Sequence, residues 1–336
     1  MGAGLGVDEF RARSLSSLRR IVTIDAAFYA TVDDATMVMT SALSEPPLIG
    51  AAFRFLDNEY GVVDVNKFTD VADLAKGVAS LDQVTGGDRS SSHRYRDVMA
   101  PIGLGDEVRV ALRSRGRSWG VLCLHREDRE GGFDGDEVEF LGRAGTILGE
   151  GLRRAVAVAS VCTGSPMPAG PGVLILDANL EVVSTNPQAN PWLEAVDGRD
   201  WPPSMHLPVA VLAAAAAARA LTGDPAAQRT RARRRHGGWM TVQASPLSGS
   251  AGHTVVVLDA PEADELTSWA LAVYGLTPAQ GRVATLVLRG RSTQQIMNEL
   301  AISANTVQEH LRAAFDTVGV GNRRELVAVL MGQRSP

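Results

Sequence analysis

The residues best suited to chemistry in this 336-residue chain lie near its end. Placed 100° apart on a helix that begins after Ser303, the side chains of Asn305, Glu309, Arg312 and Asp316 point to one side, with Gln308 on its shoulder. Val307, Leu311, Ala314 and Val318 form a narrow apolar stripe on the other side. A helix buried along that stripe presents amides that suit adenine, a guanidinium that suits guanine and a carboxylate that accepts from cytosine. Its first turn also aims unpaired backbone N–H groups outward, where a phosphate would sit. The chemistry is base recognition in a DNA groove.

Four short helices must position that face. Thr277-Pro278-Ala279-Gln280 has a capping hydroxyl, proline at the first helical position and a glutamine that reaches back. Ser292 with Gln295 and Asn322 with Glu325 repeat the pattern, and Ser303 caps a fourth helix without the return residue. From Tyr274 onward there are seven arginines, no lysine and four acids, a balance of +3 that leaves −8 on the rest of a chain whose total is −5. A mildly basic tail on an acidic body fits a nucleic-acid module joined to something else.

Here a resemblance becomes definite. Leu276-Thr-Pro, Gly290-Arg-Ser292, Ile296, Leu300-Ala-Ile-Ser303, Thr306-Val307, His310-Leu311 and Val318-Gly-Val320 with Arg323 resemble the LuxR-type helix-turn-helix over roughly residues 274–332. The resemblance implies a scaffold helix at 292–300, a recognition helix at 304–318 and a last helix that pairs in a dimer. It implies DNA contacts from Gln294, Ser303, Asn305, Thr306, Gln308, Glu309, His310, Arg312 and Arg323. Positions where the family usually carries lysine hold Gln294, Gln308 and Thr317 here. Each lost cation weakens the salt-dependent attraction to phosphate.

The front two-thirds carries less pointed chemistry. Phe28, Tyr29, Phe55, Tyr95 and Trp119 are candidates to line a small-molecule pocket, although adjacent Phe28 and Tyr29 do not face one cavity, and core filling is the plainer reading of each alone. Cys123 and His125 alternate onto one strand face, but two donors without a third make no metal site, so none is assigned. The Arg229–Arg235 run reads as a solvated strand edge rather than a nucleic-acid contact. Gly2-Ala-Gly-Leu-Gly6 follows no strand and is no dinucleotide loop, and no Gly-Lys-Ser/Thr phosphate loop or acidic receiver pocket is visible. No catalytic constellation appears; neither an enzyme nor a cofactor is expected.

Val108–Leu112 and Trp119–His125 read as strands joined at Ser114-Arg115-Gly116. They lead to a helix from Asp134 to about Ser160 whose apolar stripe of Val138, Leu141, Ile147, Leu148 and Leu152 is expected to pair with its copy. Trp119-Gly-Val-Leu-Cys-Leu-His-Arg126 and Phe133–Leu141 resemble the last strand and closing helix of a GAF domain. After a Gly/Pro-rich stretch, Val173–Asp177, Glu181–Ser184, an Ala-rich helix at Leu207–Leu221, Trp239–Ala244 and Thr254–Leu258 give a β-β-α-β-β order. Gly172–Asp177 and Val182–Pro187 there resemble a PAS domain.

The expectation is an α+β multidomain chain. It consists of a GAF-like α/β sensor (1–160), a linker (161–171), a PAS-like α/β sensor (172–262), a connector helix (263–273) and an all-α four-helix LuxR-type helix-turn-helix (274–336). It is expected to be a cytoplasmic homodimer on double-stranded DNA, answering to a small molecule or partner of unknown identity. Two cysteines, no secretory signal and no apolar run of the roughly 20 residues that a membrane span needs favour that compartment and exclude a membrane. The competing reading is a sensory adaptor whose helical tail contacts protein instead of DNA.

Overall fold

The computed structural model describes residues 5–128, 131–159, 167–196, 207–221, 227–249 and 252–331. Cys162 and the first part of the stretch read as a linker lie outside these residues, as do Gly2 to Gly4. The chain opens with α1 (Val7–Leu18), β1 (Ala26–Val32) and β2 (Met39–Ser44), followed by α2 (Ala52–Gly61) and α3 (Phe68–Asp73). Then come the short β3 (Val78–Ser80), α4 (Leu81–Thr85), β4 (Leu104–Ser114), β5 (Arg117–Glu127) and α5 (Gly135–Ala159).

The first five strands form an antiparallel sheet in the order β2-β1-β5-β4-β3. Arg115 and Gly116 turn the β4–β5 hairpin at φ 53° and 75°, the mirror-image turn whose twist matches that of the flanking strands. Every residue of β1 is buried, because α1 and α5 lie on one face and α2 and α3 on the other. Helix α5 lies close over β4. A Cβ added at Gly149 would stand 2.4 Å from the Arg113 carbonyl oxygen, and one at Gly145 2.7 Å from Val110. This packing uses the stripe expected to pair two copies: Val138, Leu141 and Leu152 are buried within the chain, and Ile147, 75 % exposed, points away.

The second sheet is built from β6 (Gly172–Leu176), β7 (Val182–Thr185), α6 (Ala189–Ala195), α7 (Val209–Ala220), β8 (Gln228–Arg233), β9 (Trp239–Pro246) and β10 (Thr254–Asp259). Its order, β7-β6-β10-β9-β8, repeats that of the first. It has one strand and one helix more than the β-β-α-β-β pattern. The arginine run supplies the extra strand, β8, at the sheet edge, but that edge is not solvated. It lies along β2, where Arg231 Nε is 3.0 Å from Asp33, and Arg229 pairs at 3.0 Å with Glu265. Alternate positions Thr230 and Ala232 are buried.

Helix α7 ties the two sheets together. Val209 to Ala218 are all buried, against α2 and β2 on one side and β8, β9 and β10 on the other. One apolar cluster therefore runs from Phe28 and Phe55 through α7 to Trp192 and Val256. The chain closes with α8 (Ala263–Val273), α9 (Pro278–Leu288), α10 (Thr293–Leu300), α11 (Ala304–Val318) and α12 (Arg323–Leu330). The whole is α+β, with two antiparallel sheets and a helical carboxyl-terminal unit.

Gly149→Ala should destabilise the protein by about 1–3 kcal/mol, the usual range for overpacking a core. Thermal or urea unfolding measures it, and an unchanged midpoint would mean that α5 stands off the sheet.

Candidate functional site

The helical unit is fixed at its caps. Thr277 and Gln280, and Ser292 and Gln295, form reciprocal boxes, with the return bonds at 2.9 and 2.8 Å. Ser303 Oγ accepts from the Thr306 N–H at 3.1 Å. Asn322 accepts from the Arg324 and Glu325 N–H groups, but Glu325 returns to the Gly321 N–H rather than to that of Asn322. Ala301 takes the left-handed turn between α10 and α11.

On α11 the two faces separate as their spacing requires. Val307, Leu311 and Ala314 are buried against Ile296, Val283 and Leu326, and Val318 is half-buried beside them. Asn305, Gln308, Glu309, Arg312 and Asp316 are exposed. Thr306 and His310 are half-buried, while Ser303 and Gln294 stand exposed at the cap and on α10. Arg323 does not project freely. Its guanidinium donates to the Arg291 carbonyl, which ties the start of α12 to the turn before α10.

The unit is also held at its root. Arg153 on α5 donates to the Val273 carbonyl, and Arg115 at the β4–β5 turn donates to the Gly275 carbonyl. Trp269 on α8 packs on Trp239 of β9 with ring centroids 3.6 Å apart and joins the apolar cluster beneath α1 and α5. The two arginine contacts join residues 120 or more apart in sequence and leave no local pattern.

The five aromatic candidates divide between the two faces of the first sheet. Phe28 and Phe55 meet at 4.7 Å, with Tyr95 packed against the same cluster. Tyr29 and Trp119 belong to the opposite cluster, where Trp119 borders a small cavity with Trp239 and Trp269. Burial pushes the Tyr29 phenol up to about 12.

Beside Phe55 lies a buried charged group that sequence reading passed over. Arg109 stacks on Phe68 (4.4 Å) and Phe55 (5.5 Å), and pairs with Glu59 at 2.6 Å and with Glu107 at 3.0 Å. Arg94 reaches the same Glu107 oxygen, Oε2, at 2.7 Å. Cys123 and His125 face them from β5, in register with Arg109 and Glu107 respectively. Burial alone would raise the Glu107 carboxyl, but Arg109 and Arg94 outweigh it and hold the group well below its ordinary range. Burial drives the Cys123 thiol well up and lowers the His125 imidazole to about 4 despite Glu107. The available signal was Glu107-x-Arg109 opposite Cys123-x-His125: polar residues alternating with Val108, Val110, Leu122 and Leu124 on strands too central to be solvated.

Residues 275–330 match the family model of bacterial regulatory proteins, luxR family, and residues 23–152 match that of the GAF domain. The carboxyl-terminal helices are thus a LuxR-type helix-turn-helix, and the first sheet with its helices is a GAF domain. No curated protein matches the chain. Among solved structures, similarity reaches the VqmA dimer of Vibrio cholerae, described as a LuxR-type receptor, at 17% identity over 48% of this chain and 82% of that one, with a TM-score of 0.21. A phage VqmA in complex with DPO gives 19% identity, 53% and 87% coverage and a TM-score of 0.19. The E. coli DhaR(N)–DhaL complex gives 12%, 75% and 85%, and 0.28. Superpositions this loose carry no structural meaning for this chain.

The state of His125 sets a pH dependence. Glu107 and Arg109 on β4, Arg94, and Cys123 on β5 face it. Its folded pKa lies below the ordinary 6.5, so from about 6.5 downward the unfolded chain takes up a proton that the fold refuses until about 4. The contribution is complete above 6.5 and fades as pH falls through that window, by up to about 3 kcal/mol. Urea midpoints in chelating buffer should fall more steeply between pH 7 and 4.5 for the parent than for His125→Gln; equal slopes would place the imidazole in contact with water.

Proposed function

We propose that the chain is a transcription regulator that reads a specific duplex sequence with α11, under the control of a small-molecule or partner signal received by its GAF domain and by a PAS-like domain at residues 172–262. The observation that carries this reading is the outer face of α11. Asn305, Gln308, Glu309 and Arg312 are exposed there together, on a helix whose other face is locked into a core. Arg and Gln side chains so placed discriminate bases in the major groove, with Asn and Glu beside them. Gln294, Ser303, Thr306 and His310 flank this face and would meet the backbone or neighbouring bases, while Arg323 braces the α10 turn.

The PAS-like assignment rests on the second sheet, whose strand order is that of the GAF domain with α6 and α7 inserted between its second and third strands. Division at 1–160, 161–171, 172–262, 263–273 and 274–336 follows from it. Among the described residues no helix is long and apolar enough to cross a membrane.

A homodimer belongs to the same reading. The tail carries only +3, which gives few phosphate contacts per copy. Joining two copies on two related half-sites raises avidity by about 10²–10⁴. Much of the α5 stripe is engaged inside the chain; Ile147 and Val158 remain exposed on that helix, and the half-buried Val327 and Val329 and exposed Met331 at the α12 end are also available to pairing.

Arg312→Ala and Gln308→Ala should each weaken binding to a selected duplex about tenfold or more, since one base-contacting pair contributes about 1–3 kcal/mol. Circular dichroism should stay unchanged. Anisotropy titrations at several salt concentrations provide the measurement. Undiminished affinity in both variants removes α11 from the groove, and no salt-dependent DNA binding by the parent would favour a tail that contacts protein.

A further inference from the structure

Buried polar groups in a folded protein are nearly always satisfied, and each one left alone is destabilising. In the GAF domain three such atoms face one another. His125 is 1% exposed and neither of its ring nitrogens has a hydrogen-bond partner; Glu107, equally buried, leaves Oε1 without one. Both guanidiniums on Glu107 use its other oxygen, Oε2. The free Oε1 lies 3.9 Å from His125 Nε2. The Cys123 thiol, 0% exposed, closes the group, and the donor atoms of all three lie within 4.8 Å of one another.

We infer that Glu107, Cys123 and His125 form a three-donor binding site for a zinc-class divalent cation, with the fourth coordination position open. Nitrogen, sulfur and carboxylate oxygen are the donor set such ions take, and three protein ligands with one open place make an exchangeable rather than a closed structural site. At bond lengths of about 2.0–2.3 Å, tetrahedral donors stand roughly 3.3–3.8 Å apart, so loading draws the three side chains together by about an ångström. Arg94 and Arg109 then serve as outer partners that fix the Glu107 carboxylate, the usual way a ligating group is oriented.

Charge decides what fills the fourth position. Arg94, Arg109 and Lys67 balance Glu59, Glu107 and Asp64, so the empty site is neutral. The cation adds two charges, and Cys123 gives its thiol proton to solvent as the metal–sulfur bond forms, which leaves +1; no electrons are transferred. A small anion, hydroxide or an added thiolate, restores neutrality at the open position. Sequence pattern offered Cys123 and His125 alone; the third donor arrives because Glu107 pairs with His125 across the β4–β5 ladder.

The full chain, stripped with chelator, loaded with Zn²⁺ or Co²⁺ and desalted, should retain about one ion per chain. The Co²⁺ form should show the near-ultraviolet thiolate-to-cobalt band. Cys123→Ser should abolish that band, and His125→Gln and Glu107→Gln should weaken retention at least tenfold. Cys162→Ser should change nothing. The inference falls if the parent retains no metal, if its Co²⁺ form lacks the thiolate band, or if Cys162→Ser removes it. The parent spectrum decides the matter even where a variant fails to fold. A desalted parent that shows neither metal nor band means that water occupies the space.

Discussion

The structure depends on a helix that has no solvent side. From Val209 to Ala218, α7 is buried on its whole circumference, with the GAF sheet edge and α2 on one flank and the second sheet on the other. Eight of its twelve residues are alanine, which forms helix best and loses no side-chain freedom on burial. More important is reach. From Ala213 to Ala218 methyl groups let two sheets approach one helix from opposite sides, and longer side chains there would force them apart. Because α7 fixes that separation, β8 can lie against β2 and Arg231 can find Asp33. The two sheets share one apolar core and behave as one packed body.

The GAF sheet shows a different economy on its two faces. Beneath α1 and α5 it is apolar and close-fitting, down to glycines where α5 crosses β4. On the other face the same strands turn charged groups inward, with Arg109 at the centre, stacked on two aromatic rings and paired with two carboxylates. Buried ion pairs of this kind are held by mutual dependence, since removal of one partner strands the other at a cost of about 3–5 kcal/mol. Such a face is poorly suited to adding stability but well suited to a defined polar arrangement.

Local order was legible in the sequence where local chemistry sets it. The caps at Thr277, Ser292, Ser303 and Asn322 mark helix starts because a side chain three residues from its partner forms the bond itself. The inward stripe of α11 and the β4–β5 turn follow from periodicity and from Arg115-Gly116. The exposed residues of the outer α11 face were readable for the same reason, being those left over once the stripe is buried. Long-range contacts were not. The apolar stripe of α5 announces burial but not whether the partner is a copy or the chain's own sheet. The arginine run announces an edge but not that β2 and Glu265 await it. The Glu107–Cys123–His125 group needed the strand register, which no spacing in a single strand contains.

The β4–β5 hairpin runs between two ends of the molecule that do different things. Near one end, Glu107 faces His125; at the other, Arg115 in the turn donates to Gly275, immediately before the first helix of the DNA-binding unit. The seven steps from Glu107 to Ser114 span roughly 24 Å of strand, paired along its length except at a bulge between Leu112 and Arg113. A paired ribbon of that length resists stretching, so a displacement of its inner end has little room to be absorbed on the way. In mechanical terms the hairpin is a pushrod. It is seated among the buried charges, guided between α5 and the neighbouring strands, and its tip bears on Gly275, from which the chain runs into α9 to α12. Through it the buried charges of the GAF domain and the root of the helices that carry the α11 face are joined by one continuous element.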